Sequence, residues 1–256
     1  MAFAYLKYLL LARNEHGVHS PFVFDLLTKV IYDKRKYAEY NQVEALRSEL
    51  LKDMSELEVS DLGAGSNVLK SEKRKVSDIA RYSLKPAKYG QLLFRLVKHF
   101  KPDTVLELGT SLGLSACYLK LGMSDSNMIS IEGSEEIANR AEQEFVKMGV
   151  SGISLLRGNF DEVLPGVLED LKELDFVFFD GNHRREPTLK YFELCLKCVR
   201  PDSVFIFDDI HWSDEMEQAW VRIKAHPSVR VTVDLFFMGL VFFRAEMSRE
   251  DFVLRY

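Results

Sequence analysis

From Lys101 to Tyr256, short runs rich in Val, Ile and Phe alternate with stretches whose apolar residues recur every three or four positions. That alternation constrains the fold more than any other feature, because strands separated by helices associate as a parallel sheet with the helices on its faces. Strands are expected at 103–108 (DTVLEL), 127–132 (NMISIE), 152–157 (GISLLR), 174–180 (LDFVFFD), 203–208 (SVFIFD), 229–235 (VRVTVDL) and 239–244 (GLVFFR). Helices are expected between them. One buries Ile137, Ala141 and Phe145, a second Leu189, Phe192, Leu196 and Val199, and a third Met216, Ala219, Trp220 and Ile223. Only a few residues separate the last two runs, too few for a helical crossover, so they should pair as an antiparallel hairpin. The expected architecture is α/β, a seven-stranded, mostly parallel sheet with one antiparallel strand.

The first hundred residues read as helices with polar connections. Ser20 and Pro21 make an N-cap and first-turn pair for the helix PFVFDLLTKVIY, and Asn41 starts another running to about Met54. KSEKRK (70–75) reads as a solvated loop, Ser77 as the cap of a short helix, and 89–100 as a helix leading into the first strand. The chain is therefore expected to divide into a helical N-terminal appendage, 1–100, suited to act as a substrate lid, and a sheet-bearing domain, 101–256.

Composition narrows the partners. With 256 residues, 47% apolar and 29% charged, the chain has material for a real core and is not a disordered polymer. No apolar stretch approaches the roughly 18 residues of a spanning helix, and no signal-peptide pattern opens the sequence, so no membrane association is expected. A net charge of −5 offers no basic footprint for nucleic acid, which leaves a small molecule as the expected partner. Three cysteines, an odd number, argue against a disulfide framework and for a reducing cytoplasm. Cys195 and Cys198 form a CxxC, but near the end of a helix rather than at its thiolate-stabilising start, so packing is expected of them. Nothing in the sequence selects an oligomeric state.

Ligands of open parallel sheets bind beyond the carboxyl ends of the strands. Here five successive strand ends carry polar or small residues: Gly109-Thr110-Ser111-Leu112-Gly113, then Glu132, then Gly158-Asn159, then Asp180-Gly181-Asn182-His183, then Asp208-Asp209-Ile210-His211. Carboxylates set directly against FVFF and VFIF have no packing rationale. The glycine loop discriminates between cofactors. A dinucleotide site requires GxGxxG for close approach to a pyrophosphate, whereas the pattern here is ExGxxxG, Glu107-Gly109-Gly113, with an acid where a pyrophosphate would be repelled. A carboxylate there suits a cationic amino group, and Glu132, 25 residues on, is placed to accept from both ribose hydroxyls. Together these features indicate S-adenosylmethionine.

At this point ELGTSLGLSA (107–116), with the lead-in GQLLFRLVKHFKPDTVLELG, resembles the first motif of the class I S-adenosylmethionine-dependent methyltransferases, in particular the small-molecule O-methyltransferases. The resemblance spans about residues 89 to 244 and implies a Rossmann-like sheet. It implies that Glu107 meets the methionine amino group, that Gly109 and Gly113 make the turn lined by Thr110 and Ser111, and that Glu132 holds the ribose. Asn159 stands where many members carry Asp facing the adenine. DGNH (180–183) and DD (208–209) resemble the metal and catalytic motifs of cation-dependent members. In those terms Asp180, also at the cofactor edge, binds a divalent cation with Asp208 and Asp209, and His183 is the base. Three hard oxygen ligands suit Mg²⁺, and a cation lowers the pKa of a bound hydroxyl so that an imidazole can take its proton near neutral pH.

Several blander roles compete. Asp208 and Asp209 would suit the start of the helix after WS, although Ser213 already serves as its cap. His211 and Trp212 would line a substrate pocket or simply pack, and His16 and His19 are read as cap or core residues. DLGAGS (61–66) is textually closer to a generic methyltransferase loop, but no buried strand precedes it. Three functions fit the pattern: a metal-assisted O-methyltransferase for a small hydroxylated molecule, a metal-independent methyltransferase for another nucleophile, and a catalytically silent cofactor-binding or interaction module.

Overall fold

The computed structural model describes residues 2–59 and 73–256, so the DLGAGS loop and residues 70–72 lie outside the described residues. The chain starts with α1 (Ala2–Leu11) and α2 (Pro21–Leu26). Ser20 caps α2 as expected, its Oγ accepting from the Val23 N–H at 3.4 Å, and the helix runs on through a π turn, Leu27–Ile31. Next come α3 (Ala38–Leu50), β1 (Glu56–Glu58), β2 (Lys73–Lys75), α4 (Val76–Ser83) and α5 (Ala87–Phe100). The end of the expected 70–75 loop is thus a strand. β1 and β2 pair antiparallel with Glu56 opposite Lys75 and Glu58 opposite Lys73, and such facing opposite charges favour a ladder that apolar patterning does not announce. Ser77 is not a cap: it lies inside α4, buried, with its Oγ 3.8 Å from Met54 Sδ, while Lys75 occupies the capping position.

Beyond residue 100 follow β3 (Thr104–Leu108), α6 (Leu114–Gly122), β4 (Asn127–Glu132), α7 (Glu135–Met148), β5 (Ile153–Arg157), α8 (Phe160–Asp170) and β6 (Leu174–Phe179). The chain continues with α9 (Arg185–Cys195), β7 (Val199–Asp208), α10 (Asp214–Ala225), β8 (Val231–Asp234), β9 (Met238–Phe242) and β10 (Glu250–Val253). Each of the seven expected runs is a strand, and β8 and β9 form the expected antiparallel hairpin. Val199 departs from its expected helix. α9 tightens to a 3-10 turn at Leu196–Cys198, and Val199 opens β7 opposite Leu174, helped by Pro201, which holds Arg200 extended. Ser213 caps α10, its Oγ accepting from the Met216 N–H at 3.2 Å.

Contacts divide the chain into two compact units, Lys34–Gly166 and, in two segments, Met1–Asp33 with Val167–Tyr256. In the first, β3, β4 and β5 lie parallel, with Glu107 opposite Ser130 and Ile131 opposite Leu156. Helix α3 is fastened to this unit by polar bonds. Tyr118 donates to Glu44 at 2.6 Å, Arg140 bridges Asp53 and Glu144 at 2.6 Å each, and Lys147 pairs with Glu49. In the second unit β6 and β7 are parallel, β9 is antiparallel to both β7 and β8, and β10 adds an eighth strand parallel to β8. Its N-terminal segment clasps the end of the chain: Arg13 N–H donates to Val253 O at 2.8 Å, Arg255 N–H to Arg13 O at 3.0 Å, and Tyr8 Oη to Leu254 O at 2.5 Å. The class is thus Rossmann-like α/β, mostly parallel, with one reversed strand.

Among the described residues no helix is long and apolar enough to cross a membrane. The three cysteines are free thiols. Burial pushes Cys195 up, and Cys198 donates to the carbonyls of Leu168 and Leu171 at 3.5 and 3.3 Å, as structural thiols do.

Candidate functional site

Two polar centres form at strand ends, one in each unit. In the first, Glu107 belongs to a strand whose central residues are wholly buried, and it accepts from the Ser130 hydroxyl at 2.5 Å. Ser130 is in turn 2.6 Å from the Thr110 hydroxyl. A buried carboxylate is costly without hydrogen bonds, and this chain of hydroxyls meets one of its two oxygens. The loop that follows turns on Gly109, Ser111 and Gly113, with φ of 105, 49 and 84°. Gly113 starts α6 in the left-handed region, and a Cβ on it would stand 2.6 Å from the Phe145 ring of α7. Only glycine meets both conditions.

Glu132, half-buried at the end of β4, has one oxygen accepting from the Ser111 N–H at 2.9 Å and the other from the Ser134 N–H at 3.0 Å. These two N–H groups fix the orientation of the carboxylate at the strand end. Asn159 caps the first turn of α8, its Oδ1 accepting from the Asp161 N–H at 2.9 Å. Sequence reasoning missed Ser130 and Ser134. Ser130 had left a signal, as the one hydroxyl within the apolar run MISI.

The second centre follows from strand register. β6 and β7 pair in parallel with Phe179 opposite Phe207, and those rings stack at 4.3 Å with planes 7° apart. The next residue on each strand is an aspartate, so the ladder itself sets Asp180 beside Asp208. The loop after β6 turns at Asn182 (φ 63°), whose Nδ2 donates to Tyr191 Oη at 3.2 Å. That turn brings His183 Nε2 to 3.6 Å from Asp180 Oδ1. Asp180, His183 and Asp208 each offer a ligand atom within 4.8 Å of the others, and Asp208 is buried. The donor set suits a divalent cation, because two neighbouring carboxylates stabilise a cation and repel each other without one.

Asp209 stands outside this group. Its backbone turns left-handed (φ 53°), and its N–H donates to the Phe237 carbonyl at 2.6 Å. His211 is engaged elsewhere: its Nε2 lies 2.7 Å from Asp234 Oδ2, its Nδ1 3.3 Å from Glu217 Oε1, and it stacks on Phe236. Burial disfavours its charge, but the two carboxylates outweigh burial and raise its pKa. Trp212 is exposed, as are His16 and His19.

Residues 106–210 match the family model of a methyltransferase domain. A Mycobacterium marinum protein provisionally named an O-methyltransferase is 33% identical over 144 residues, which cover 55% of this chain and 61% of that protein. The flavonoid 3',5'-methyltransferase of Vitis vinifera is 28% identical over 132 residues, 50% of this chain and 55% of that enzyme. The matched segment thus spans less than two thirds of the length of either relative. Among solved structures, the Bacillus cereus O-methyltransferase in complex with SAH aligns with a TM-score of 0.57 at 19% identity, covering 86% of this chain and 95% of that one, a likeness of fold. Residues 106–210 are thus similar to a methyltransferase domain, on a fold shared with solved O-methyltransferases.

Proposed function

We propose that the protein is an S-adenosylmethionine-dependent O-methyltransferase that modifies a small hydroxylated molecule with the help of a divalent cation. The observation that carries this reading is the Asp180, His183, Asp208 group at adjacent strand ends of a chain similar to methyltransferases. The names of its relatives, O-methyltransferases among them, favour oxygen as the acceptor atom.

In this reading Glu132 holds the ribose diol, and the Ser111 and Ser134 amides fix its carboxylate beforehand. Glu107, kept in place by Ser130, supplies negative potential for a cationic amino-acid end. Gly109, Thr110, Ser111 and Gly113 shape the turn, and Asn159 offers its Nδ2 to the base. Asp180 and Asp208 would hold the cation. When bound, that ion acidifies an acceptor hydroxyl, so that the nucleophile arises near neutral pH. The three free cysteines suit a reducing compartment, and we place the protein in the cytoplasm.

A second reading draws on the His183 to Asp180 distance of 3.6 Å. With no cation, the carboxylate would orient the imidazole, and the imidazole would take the hydroxyl proton directly.

The test begins with thermal melts with S-adenosylhomocysteine and with NAD. A ligand at 100 times its Kd stabilises by about 2.7 kcal/mol, which for this length moves the midpoint by roughly 5–10 °C. Transfer of labelled methyl to catechols, flavonoids and sugars then follows, with Mg²⁺, Mn²⁺ or EDTA. A homocysteine-specific shift and EDTA-sensitive transfer are expected. Transfer that survives EDTA selects the second reading, and neither shift nor transfer abandons both.

A further inference from the structure

We propose that His211, Asp234 and Phe236 are positioning residues for methyl transfer: a buried carboxylate, an imidazole and a strained phenylalanine lock the turn after β7 against the turn of the β8–β9 hairpin. The inference rests on the proposed methyl transfer and adds to it three side chains outside the acid and glycine motifs. Residues 209–213 join β7 to α10 at the sheet end where ligands of open parallel sheets bind. A loop beside reacting groups has to be held, because a misplacement of about 1 Å costs about 100-fold in rate.

The hairpin supplies the hold. Asp234 ends β8 and is buried, and each of its carboxylate oxygens serves a different turn. Oδ1 accepts from the Phe236 N–H at 2.8 Å, within the hairpin, and Oδ2 accepts from His211 Nε2 at 2.7 Å. β9 pairs with both β7 and β8 and lies between them, so the bond from His211 to Asp234 spans the hairpin. The backbone adds a parallel tie, the Asp209 N–H donating to Phe237 O at 2.6 Å. Within the held turn the Trp212 N–H donates to Asp209 O at 2.9 Å. The imidazole also lies on the Phe236 ring, with centroids 5.2 Å and planes 19° apart.

Phe236 shows that the contact is more than incidental packing. Its φ of 71° lies in the left-handed region that a bulky side chain avoids, and strain of that kind persists only where the surroundings over-determine it. Here they do. Besides His211, the ring meets Tyr5 and Tyr8 of α1 at 4.8 and 5.3 Å and Phe237 at 4.9 Å. Tyr8 is itself anchored to the Leu254 carbonyl at 2.5 Å. A glycine would adopt this φ freely but make none of these contacts, so the ring is what the position requires. Backbone strain kept in this way gathers at functional sites.

The test uses full-length protein and whichever of catechol, a flavonoid and a sugar the wild type methylates fastest, with hydrogen exchange read at the Asp209 and Trp212 amides. His211→Gln and Asp234→Asn are each expected to speed that exchange and to lower kcat by about 10- to 100-fold, with the KM for S-adenosylmethionine close to wild type. The double variant should lose little more than the worse single one, because both act through one bond. His211→Phe keeps a ring over Phe236 and removes the bond, so it should behave like His211→Gln. Calorimetry with S-adenosylhomocysteine confirms that each variant is folded. A wild-type kcat in His211→Gln or His211→Phe, additive losses in the double variant, or kcat and S-adenosylhomocysteine affinity falling together overturns the positioning role while the methyl-transfer reading stands. Wild type that methylates none of the three acceptors overturns that reading, and the role with it.

Discussion

The two polar centres are built in opposite ways. Around Glu107 and Glu132 the carboxylates are already engaged by hydroxyls and backbone N–H groups from β3, β4 and the loops that follow them. Around Asp180 and Asp208 two acids stand at adjacent strand ends with an imidazole beside them. The first centre is organised before any ligand arrives. The second concentrates like charges that a cation would reconcile, so its shape is set by strand register and loop turns. A motif read along the chain identifies the first kind well, but only geometry assigns roles in the second.

Substitutions can break this comparison. The largest effect is expected from Asp208→Ala, because losing a cation that stabilises the reaction by several kcal/mol lowers turnover by about 10³-fold. The homocysteine-induced melting shift should persist, and a variant that lost both would show that the centres are not separable. Gly113→Ala should destabilise by about 2–5 kcal/mol in urea unfolding, through left-handed strain and the clash with Phe145. An unchanged unfolding midpoint would mean that α6 and α7 shift apart at little cost. Glu132→Ala should weaken S-adenosylhomocysteine by about 10- to 100-fold in calorimetry, the range for one or two charged hydrogen bonds, while Mn²⁺ affinity stays at the wild-type level. Equal loss of both ligands would argue against separate roles.

The smallest effect sharpens how α3 is joined to its unit. Hydrogen bonds from Ser55, assisted by Arg140 and opposed by burial, hold Asp53 at about 2 rather than 3.8. A depressed carboxyl stabilises fully above its unfolded pKa, and that contribution fades as pH falls through the folded value. Asp53→Asn should therefore be less stable than wild type at pH 7 by about 1 kcal/mol or less. The gap should close as pH drops from 3.8 toward about 2, in parallel urea titrations. A gap constant down to pH 2 would assign the effect to packing.

The sheet was legible because β-branched and aromatic runs do not occur in this spacing by accident. The features that escaped lack that signal. β10 reads EDFV, with two exposed acids and one buried phenylalanine, and it is held by pairing with β8 rather than by apolar burial. β1 and β2 form through facing charges. The boundary near residue 100 follows element type, whereas the compact units part at Asp33/Lys34 and Gly166/Val167, because ion pairs and the Tyr118–Glu44 bond join α3 to α6 and α7. In the site, all the acids were visible, but the turn at Asp209 was not. A φ of 53° on a non-glycine residue leaves no mark in the sequence.

The clasp between residues 8–13 and 253–256 bears on how the chain emerges from the ribosome. Residues 34–166 are contiguous and can fold as soon as they are made, but the segment before them completes its unit only with residues 167–256. At about 5–20 residues per second, the residues from 34 to 256 take roughly 11–45 s. Throughout that time Val23, Leu26, Leu27, Val30 and Ile31, all buried in the finished protein, lack the residues that complete their unit. A nascent-chain chaperone would find an apolar target there.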